Sequence, residues 1–397
     1  MKSLKLLFLN IILIGCLGQA ASDIYMPSMS AISTAFHAPI SLVQLSMAIY
    51  MLGYGLSQLI YGPLSEGVGR RLPLVAGLLI MLVGTFVCAH AQSIHALIVG
   101  RLIQGCGAGA GGALWRTIFR DTFKGEELAK YGSYFSMIMI FAVPAVPMLG
   151  GYLQHYLGWR ANFHFLSLYS FVTMLAVIFL LKETSAHHHK ERLKPRFILS
   201  TFSMMLTNRV FMGLVSCIFL TYGAFFSWLV VSPALLMNQL NMTPVAFGWV
   251  ILASSSFPMF IASQLNAKLV TKLGMSFMLN VGWGLMVISG VMLLAGHLFW
   301  GVNVYAIIVP IMIFYTGATL VWPNVFATAF TPFGHIAGYA GALYSSLQIA
   351  GGAVVGAIVA HLPHTTQVPF AWVTIICPAL AWCVYYFYVK PALDRAN

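Results

Sequence analysis

Acidic side chains are nearly absent: eight in 397 residues, within a chain whose charged residues total only 7%. A soluble globular domain averages about 25% charged residues. A chain this long and this poor in charge has too little polar surface to face water all round, and its hydrophobic share of 60% marks a polytopic membrane protein. The net charge of +12 does not point to nucleic acid, because the basic residues form no single face or stripe. Cysteine is sparse too. Cys16, Cys88, Cys106, Cys217, Cys377 and Cys383 all lie in apolar segments without CxxC or Cys/His spacing, which argues for buried thiols rather than disulfides or a metal site.

Seven of the eight acids fall in or beside loops; Asp23 alone sits within a long apolar stretch, LGQAASDIYMPSMSA at 17–31. A carboxylate in hydrocarbon costs several kcal/mol unless it is neutral, paired or facing a water-filled cavity. Its presence points to a proton or cation site on a transport path. The plainer reading is a cap at the membrane–water boundary.

About 20 apolar residues cross a bilayer as a helix. Hydropathy predicts twelve spans: 6–29, 42–62, 73–92, 95–117, 131–155, 161–181, 210–236, 245–266, 275–297, 301–325, 336–361 and 366–389. On one side lie Lys2, Lys5, Arg70, Arg71, Arg116, Arg120, Lys124, Lys130, Lys182, Lys190, Arg192, Lys194, Arg196, Arg209, Lys268, Lys272, Lys390 and Arg395. The other side holds Arg160 alone, and Arg101 lies within a span. Such asymmetry predicts both termini in the cytoplasm. Lys2, Lys5 and Gly18-Gln19-Ala20 also resemble a cleaved signal peptide, but its removal would invert the charge pattern of every later loop.

The longest polar stretch, 182–208, carries KETSAHHHKERLKPR and reads as a cytoplasmic linker between residues 1–181 and 209–397, six spans each. His187–His189 within it read as solvated rather than metal-binding. An echo between SQLIYGPLSEGVG (57–69) and SQLNAKLVTKLG (263–274) falls at the second span of each half, where parallel repeats place it.

Three segments carry further information. GPLSEGVGRR (62–71) joins spans two and three; its glycines, Gly62 and Gly69 among them, permit a tight turn, and Glu66, Arg70 and Arg71 can hold neighbouring helix ends. LIVGRLIQGCGAGA (97–110) buries Arg101, which needs a partner or a polar cavity. Its continuation GCGAGAGG lacks the Gly-Lys-Ser/Thr ending of a phosphate loop and reads as close helix packing. PAVPMLGGY (144–152) places Pro144, Pro147, Gly150 and Gly151 in span five, a candidate hinge with close backbone packing.

In this order the three segments resemble the major facilitator superfamily across the whole chain, and SDIYMPSM (22–29) is similar to the first-span motif of its Bcr/CflA group of drug–proton antiporters. The resemblance implies two six-helix bundles, a monomer in a bacterial inner membrane, and export of drugs or other small amphiphiles in exchange for H+. One departure bears on gating: Glu66-Gly67 stands where the signature loop usually carries Asp-Arg.

On this reading Asp23 and Arg101 serve proton coupling. Helical rise places each about 10 Å below the same surface, as neighbours either directly or through water. Candidate substrate contacts are Tyr25, Tyr50, Tyr54 and Gln58 in the first half, and Tyr222, Trp228, Trp322, Asn324 and Gln348 in the second. Packing explains many of these equally well. No cofactor is expected. Competing readings are an exporter of one metabolite, such as a siderophore or an amino acid, and a membrane-embedded enzyme. The latter lacks clustered ligands or a nucleophile–base pair at membrane depth, and a channel lacks a charged ring or filter.

Overall fold

The computed structural model describes residues 2–184, 191, 194–363 and 365–394; His187–His189, Lys190, Arg192, His364 and Arg395 lie outside them. The described residues form helices without a strand. Twelve of the helical segments are long and apolar enough to cross a membrane.

The first half contains α1 (Lys2–Asp23), α2 (Met29–Ala35), α3 (Ile40–Val68), α4 (Arg71–Ala89), α5 (Ile94–Thr122), α6 (Gly125–Leu157) and α7 (Arg160–Leu180). After α8 (Pro195–Thr207) come α9 (Arg209–Pro233), α10 (Pro244–Leu273), α11 (Met275–Trp300), α12 (Val304–Phe330), α13 (Ala337–Ala360), α14 (Val368–Val384) and α15 (Lys390–Asp394). At 1.5 Å per residue the 29 residues of α3 or α5 extend about 44 Å, past both edges of a hydrocarbon core about 30 Å thick. Exposed Phe86, Phe179, Leu298, Tyr305 and Phe387 project from the bundle, as lipid-facing side chains must.

Within the first half α5 packs on α1, α3 and α4; within the second α11 packs on α12 and α14, and α13 on α9. The halves meet where α3 lies on α13 and α6 on α10. These are spans two with eleven and five with eight, pairs that exchange when the halves are swapped, as two parallel repeats require. The glycine run of α5 does what its spacing predicts. A Cβ at Gly105 would strike the Tyr50 carbonyl of α3, and one at Gly107 the Met81 backbone of α4.

Two elements differ from expectation. The 182–208 stretch is not polar chain throughout, because α8 forms within it. Pro195 opens α8 at its first turn, and Phe197 and Phe202 set their rings 5.9 and 5.8 Å from that of Tyr339. The first span is not one helix over 6–29 but two: α1 stops at Asp23, a short 3-10 turn covers Met26–Ser28, and α2 follows. Pro27 contributes to the stop, since it supplies no N–H to the Asp23 carbonyl one turn earlier.

Candidate transport cavity

The break after Asp23 leaves the last carbonyls of α1 without helical donors. Arg101, on α5, supplies one: Nη1 donates to the Ala21 carbonyl at 2.7 Å and to Gln104 Oε1 at 2.6 Å. Gln104 in turn donates to Thr85 at 2.9 Å. The guanidinium lies between two rings, 4.4 Å from the Tyr25 centroid and 4.2 Å from that of Tyr50. Tyr50 donates to the Gly18 carbonyl at 2.5 Å, and Tyr25 shares a 3.1 Å hydrogen bond with Ser46. Arg101 is thus fully buried, and its cation sits at the negative end of the α1 dipole. It makes no ion pair with Asp23 among the described residues.

Asp23 is 4% exposed. Its Oδ2 accepts from Gln19 at 3.4 Å, and its Oδ1 has no hydrogen-bond partner among the described residues. With Gln19 it lines an apolar cavity of about 250 Å³, together with Pro144 and Pro147 of α6, Tyr222 and Phe225 of α9, Tyr315 and Trp322 of α12, and Ile251 and Ser255 of α10. Gln19, Met139, Val143 and Tyr222 also line a second chamber of about 200 Å³, bounded by Tyr54, Gln58, Arg116 and Gln348. Trp115, Arg116, Phe135 and Ser345 connect that chamber to a third, of about 770 Å³, beside Arg120, Asp121 and Phe330. Shared walls thus join the three chambers from the basic end of the bundle to Asp23.

At the other end the halves are packed together. Ser30 donates to Asn238 at 2.6 Å, Gln44 to the Val230 carbonyl at 2.9 Å, and Trp249 to Tyr152 at 3.2 Å. Gly151 enables this contact, because a Cβ would strike the Pro244 carbonyl of α10, while Gly150 lets α6 pass close to the Ile24 carbonyl at the break of the first span. The helix α6 runs on through Pro144 and Pro147. Pro144 cannot donate to the Ile140 carbonyl one turn earlier, and Ser256 of α10 donates to it instead, at 2.9 Å.

At the basic end Glu66, Arg70 and Asp121 form a linked pair of salt bridges: Arg70 lies 3.0 Å from Glu66 and 3.3 Å from Asp121, and it also donates to Ser65 at 2.8 Å. Glu183 accepts from the backbone N–H groups of Arg70 and Arg71, at 2.9 and 3.2 Å, and so caps the start of α4. The Arg71 side chain donates to the Ile178 carbonyl. Gly69 ends α3 with φ 94°, a conformation that glycine adopts without strain. Gly62 packs on Ala342 of α13, and Glu66 approaches Gly338.

The structure therefore brings Tyr54, Gln58, Tyr222, Trp322 and Gln348 to the cavity wall. It sets Tyr25 and Tyr50 against Arg101, Trp228 against Phe370 at 5.6 Å, and Asn324 in a 2.9 Å hydrogen bond to Asn266. Sequence reasoning gave no site role to Gln19, Arg116, Asp121 or Glu183. For Gln19 a signal existed: it precedes Asp23 by four residues, one helical turn.

Residues 11–357 match the model of the Major Facilitator Superfamily. Multidrug resistance protein D of Escherichia coli (strain K12) is 28% identical over 91% of this chain and 90% of its own length. The bicyclomycin resistance protein homolog of Haemophilus influenzae is 24% identical over 97% and 96%. A partially occluded inward-open structure of the xylose transporter XylE from E. coli superposes with a TM-score of 0.74 at 14% identity, covering 98% of this chain and 99% of that one, which shows a shared fold. With its twelve spans and two six-helix bundles, the chain belongs to the Major Facilitator Superfamily, the transporters rather than the enzymes of the membrane.

Proposed function

We propose that this protein is a bacterial drug exporter of the Bcr/CflA type, moving small amphiphilic molecules out of the cytoplasm in exchange for H+. Asp23 carries the reading. Among the described residues it is the one acid at the closed end of a cavity that opens toward the basic end, in apolar surroundings, hydrogen-bonded to Gln19 and held near Arg101 by the break in the first span. The resistance proteins it resembles support the substrate class.

The basic end is the cytoplasmic side, with both termini there, in the inner membrane, and the protein works as a monomer. Substrate enters the large chamber from the cytoplasm and meets Tyr54, Gln58, Tyr222, Trp322 and Gln348. A proton from outside neutralises Asp23 and weakens its attraction for a cationic substrate or for Arg101. That change biases rocking of the two bundles, with the Pro144–Gly151 segment of α6 and the Glu66–Arg70–Asp121 bridges as moving contacts.

Drug and dye susceptibility in a pump-deficient bacterium tests this reading. Wild type should confer resistance to several unrelated compounds, and Asp23→Asn at matched membrane levels should confer none. Resistance retained by the variant would remove Asp23 from the mechanism. Full expression of wild type without resistance would remove drug export.

A further inference from the structure

Arg116 differs from the two buried arginines, Arg70 and Arg101. Arg101 is committed to Ala21 and Gln104, and Arg70 to Glu66, Asp121 and Ser65. Arg116 lies on the membrane-spanning α5 and lines both the large chamber and the one above it, toward Asp23. Among the described residues it makes no salt bridge or hydrogen bond. Its guanidinium carbon lies 4.4 Å from the Trp115 ring centroid and 5.9 Å from that of Phe326, across the interface between the halves.

Arg116 is exposed to the chambers it lines, and a guanidinium without a partner of its own is free to receive an anion that enters them. Its planar fork matches the two oxygens of a carboxylate, and Phe119 and Phe330 on the wall of the large chamber offer apolar contact to an aromatic ring. Asp121, the acid in the wall of the large chamber among the described residues, is engaged by Arg70. A neighbouring cation, Arg120, also lines the large chamber and adds positive potential along the path inward. Gln58 and Gln348 provide uncharged hydrogen-bonding groups in the wall of the smaller chamber.

We propose that Arg116 forms an oxyanion-receiving subsite in the cavity, and that the molecules it favours are aromatic amphiphiles carrying a carboxylate or a comparable anionic group. This rests on the cavity being the substrate path, as proposed above, and it narrows the substrate class. The cavity then has two poles: an acid at its closed end that exchanges protons, and a cation in its wide part that holds substrate. Neutralising Asp23 leaves the grip of Arg116 unchanged, so an anionic substrate can remain bound while the proton is taken up.

The test is binding of naphthoate against its neutral isostere naphthamide, by titration calorimetry on the purified full-length protein in phosphatidylcholine nanodiscs. Wild type should bind the carboxylate about ten-fold more tightly than the amide, from a charge-assisted hydrogen bond. Arg116→Gln should abolish that preference while its amide affinity stays near wild type, and Arg116→Lys should retain part of it. No preference in wild type, an undiminished preference in Arg116→Gln, or equal loss of both ligands would overturn the subsite. A membrane phosphate presents the same chemistry. If phosphatidylglycerol in the nanodiscs removes the Arg116-dependent preference, the site belongs to a lipid headgroup and the proposal fails. Binding needs no proton gradient, so loss of export with the preference intact counts against the exporter reading alone.

Discussion

Arg101 reaches the backbone carbonyl of Ala21, 2.7 Å away, rather than the carboxylate of Asp23 two residues further along the same turn. The cation that the sequence places beside the membrane acid closes the broken end of the helix carrying it. In the proposed mechanism its part is therefore to hold Asp23 in position. Arg101→Lys keeps the charge but loses both the forked donor and the double stacking with Tyr25 and Tyr50. It should cost about 2 kcal/mol of stability, the worth of a desolvated cation–π contact. Unfolding in mixed micelles measures this; wild-type stability in the variant would contradict the assignment.

The Ser256 hydroxyl and the Ile140 carbonyl join α10 to α6 at the point where Pro144 withholds its N–H. Ser256→Ala should cost about 1 kcal/mol, because the carbonyl loses its donor. In a Pro144→Ala background, where residue 144 supplies its own N–H to Ile140, the same substitution should cost close to nothing. A double-mutant cycle on thermal stability decides, and additivity of the two changes would refute the link.

Gly151 lets α6 touch the backbone of α10 at the closed end. Gly151→Val should prevent that closure and shift the population toward a state open on the other side. In a background lacking reactive native thiols, Ser255→Cys, at the Asp23 end of the cavity, should then react with a membrane-impermeant maleimide added from the non-basic side. Labelling no faster than in the Gly151 parent would show that the contact does not hold the end shut.

Glu183 caps α4 through the N–H groups of Arg70 and Arg71. Glu183→Ala should cost about 1 kcal/mol, as loss of a helix cap does, without changing drug affinity. A change in affinity at unaltered stability would mean that Glu183 acts on transport rather than on the fold.

The fold was legible because hydrocarbon imposes a one-dimensional rule: every span must be apolar for about 20 residues, and the loops between must sort their charge. Asp23 and Arg101 stood out for the same reason, as charges where charge is expensive. What they touch was not legible. Tyr25 and Tyr50 have the residue type and spacing of substrate contacts, yet their rings enclose Arg101, 76 and 51 positions away by subtraction of residue numbers. Glu183 meets Arg70 across 113 residues, and Arg116 looks like one more basic residue at a span's end until the chambers are traced. The helix α8 hid behind the charged run before it, although Ile198, Phe202 and Met205 mark one face at helical spacing.

Transport driven by a pH gradient in proteoliposomes tests the role of Asp23 most directly. Wild type and Asp23→Asn would be reconstituted at equal density, and an imposed pH gradient would drive movement of a fluorescent drug. The account predicts gradient-driven transport by wild type and none by Asp23→Asn, with drug binding to the variant preserved. Gradient-driven transport by Asp23→Asn at the wild-type rate would contradict it.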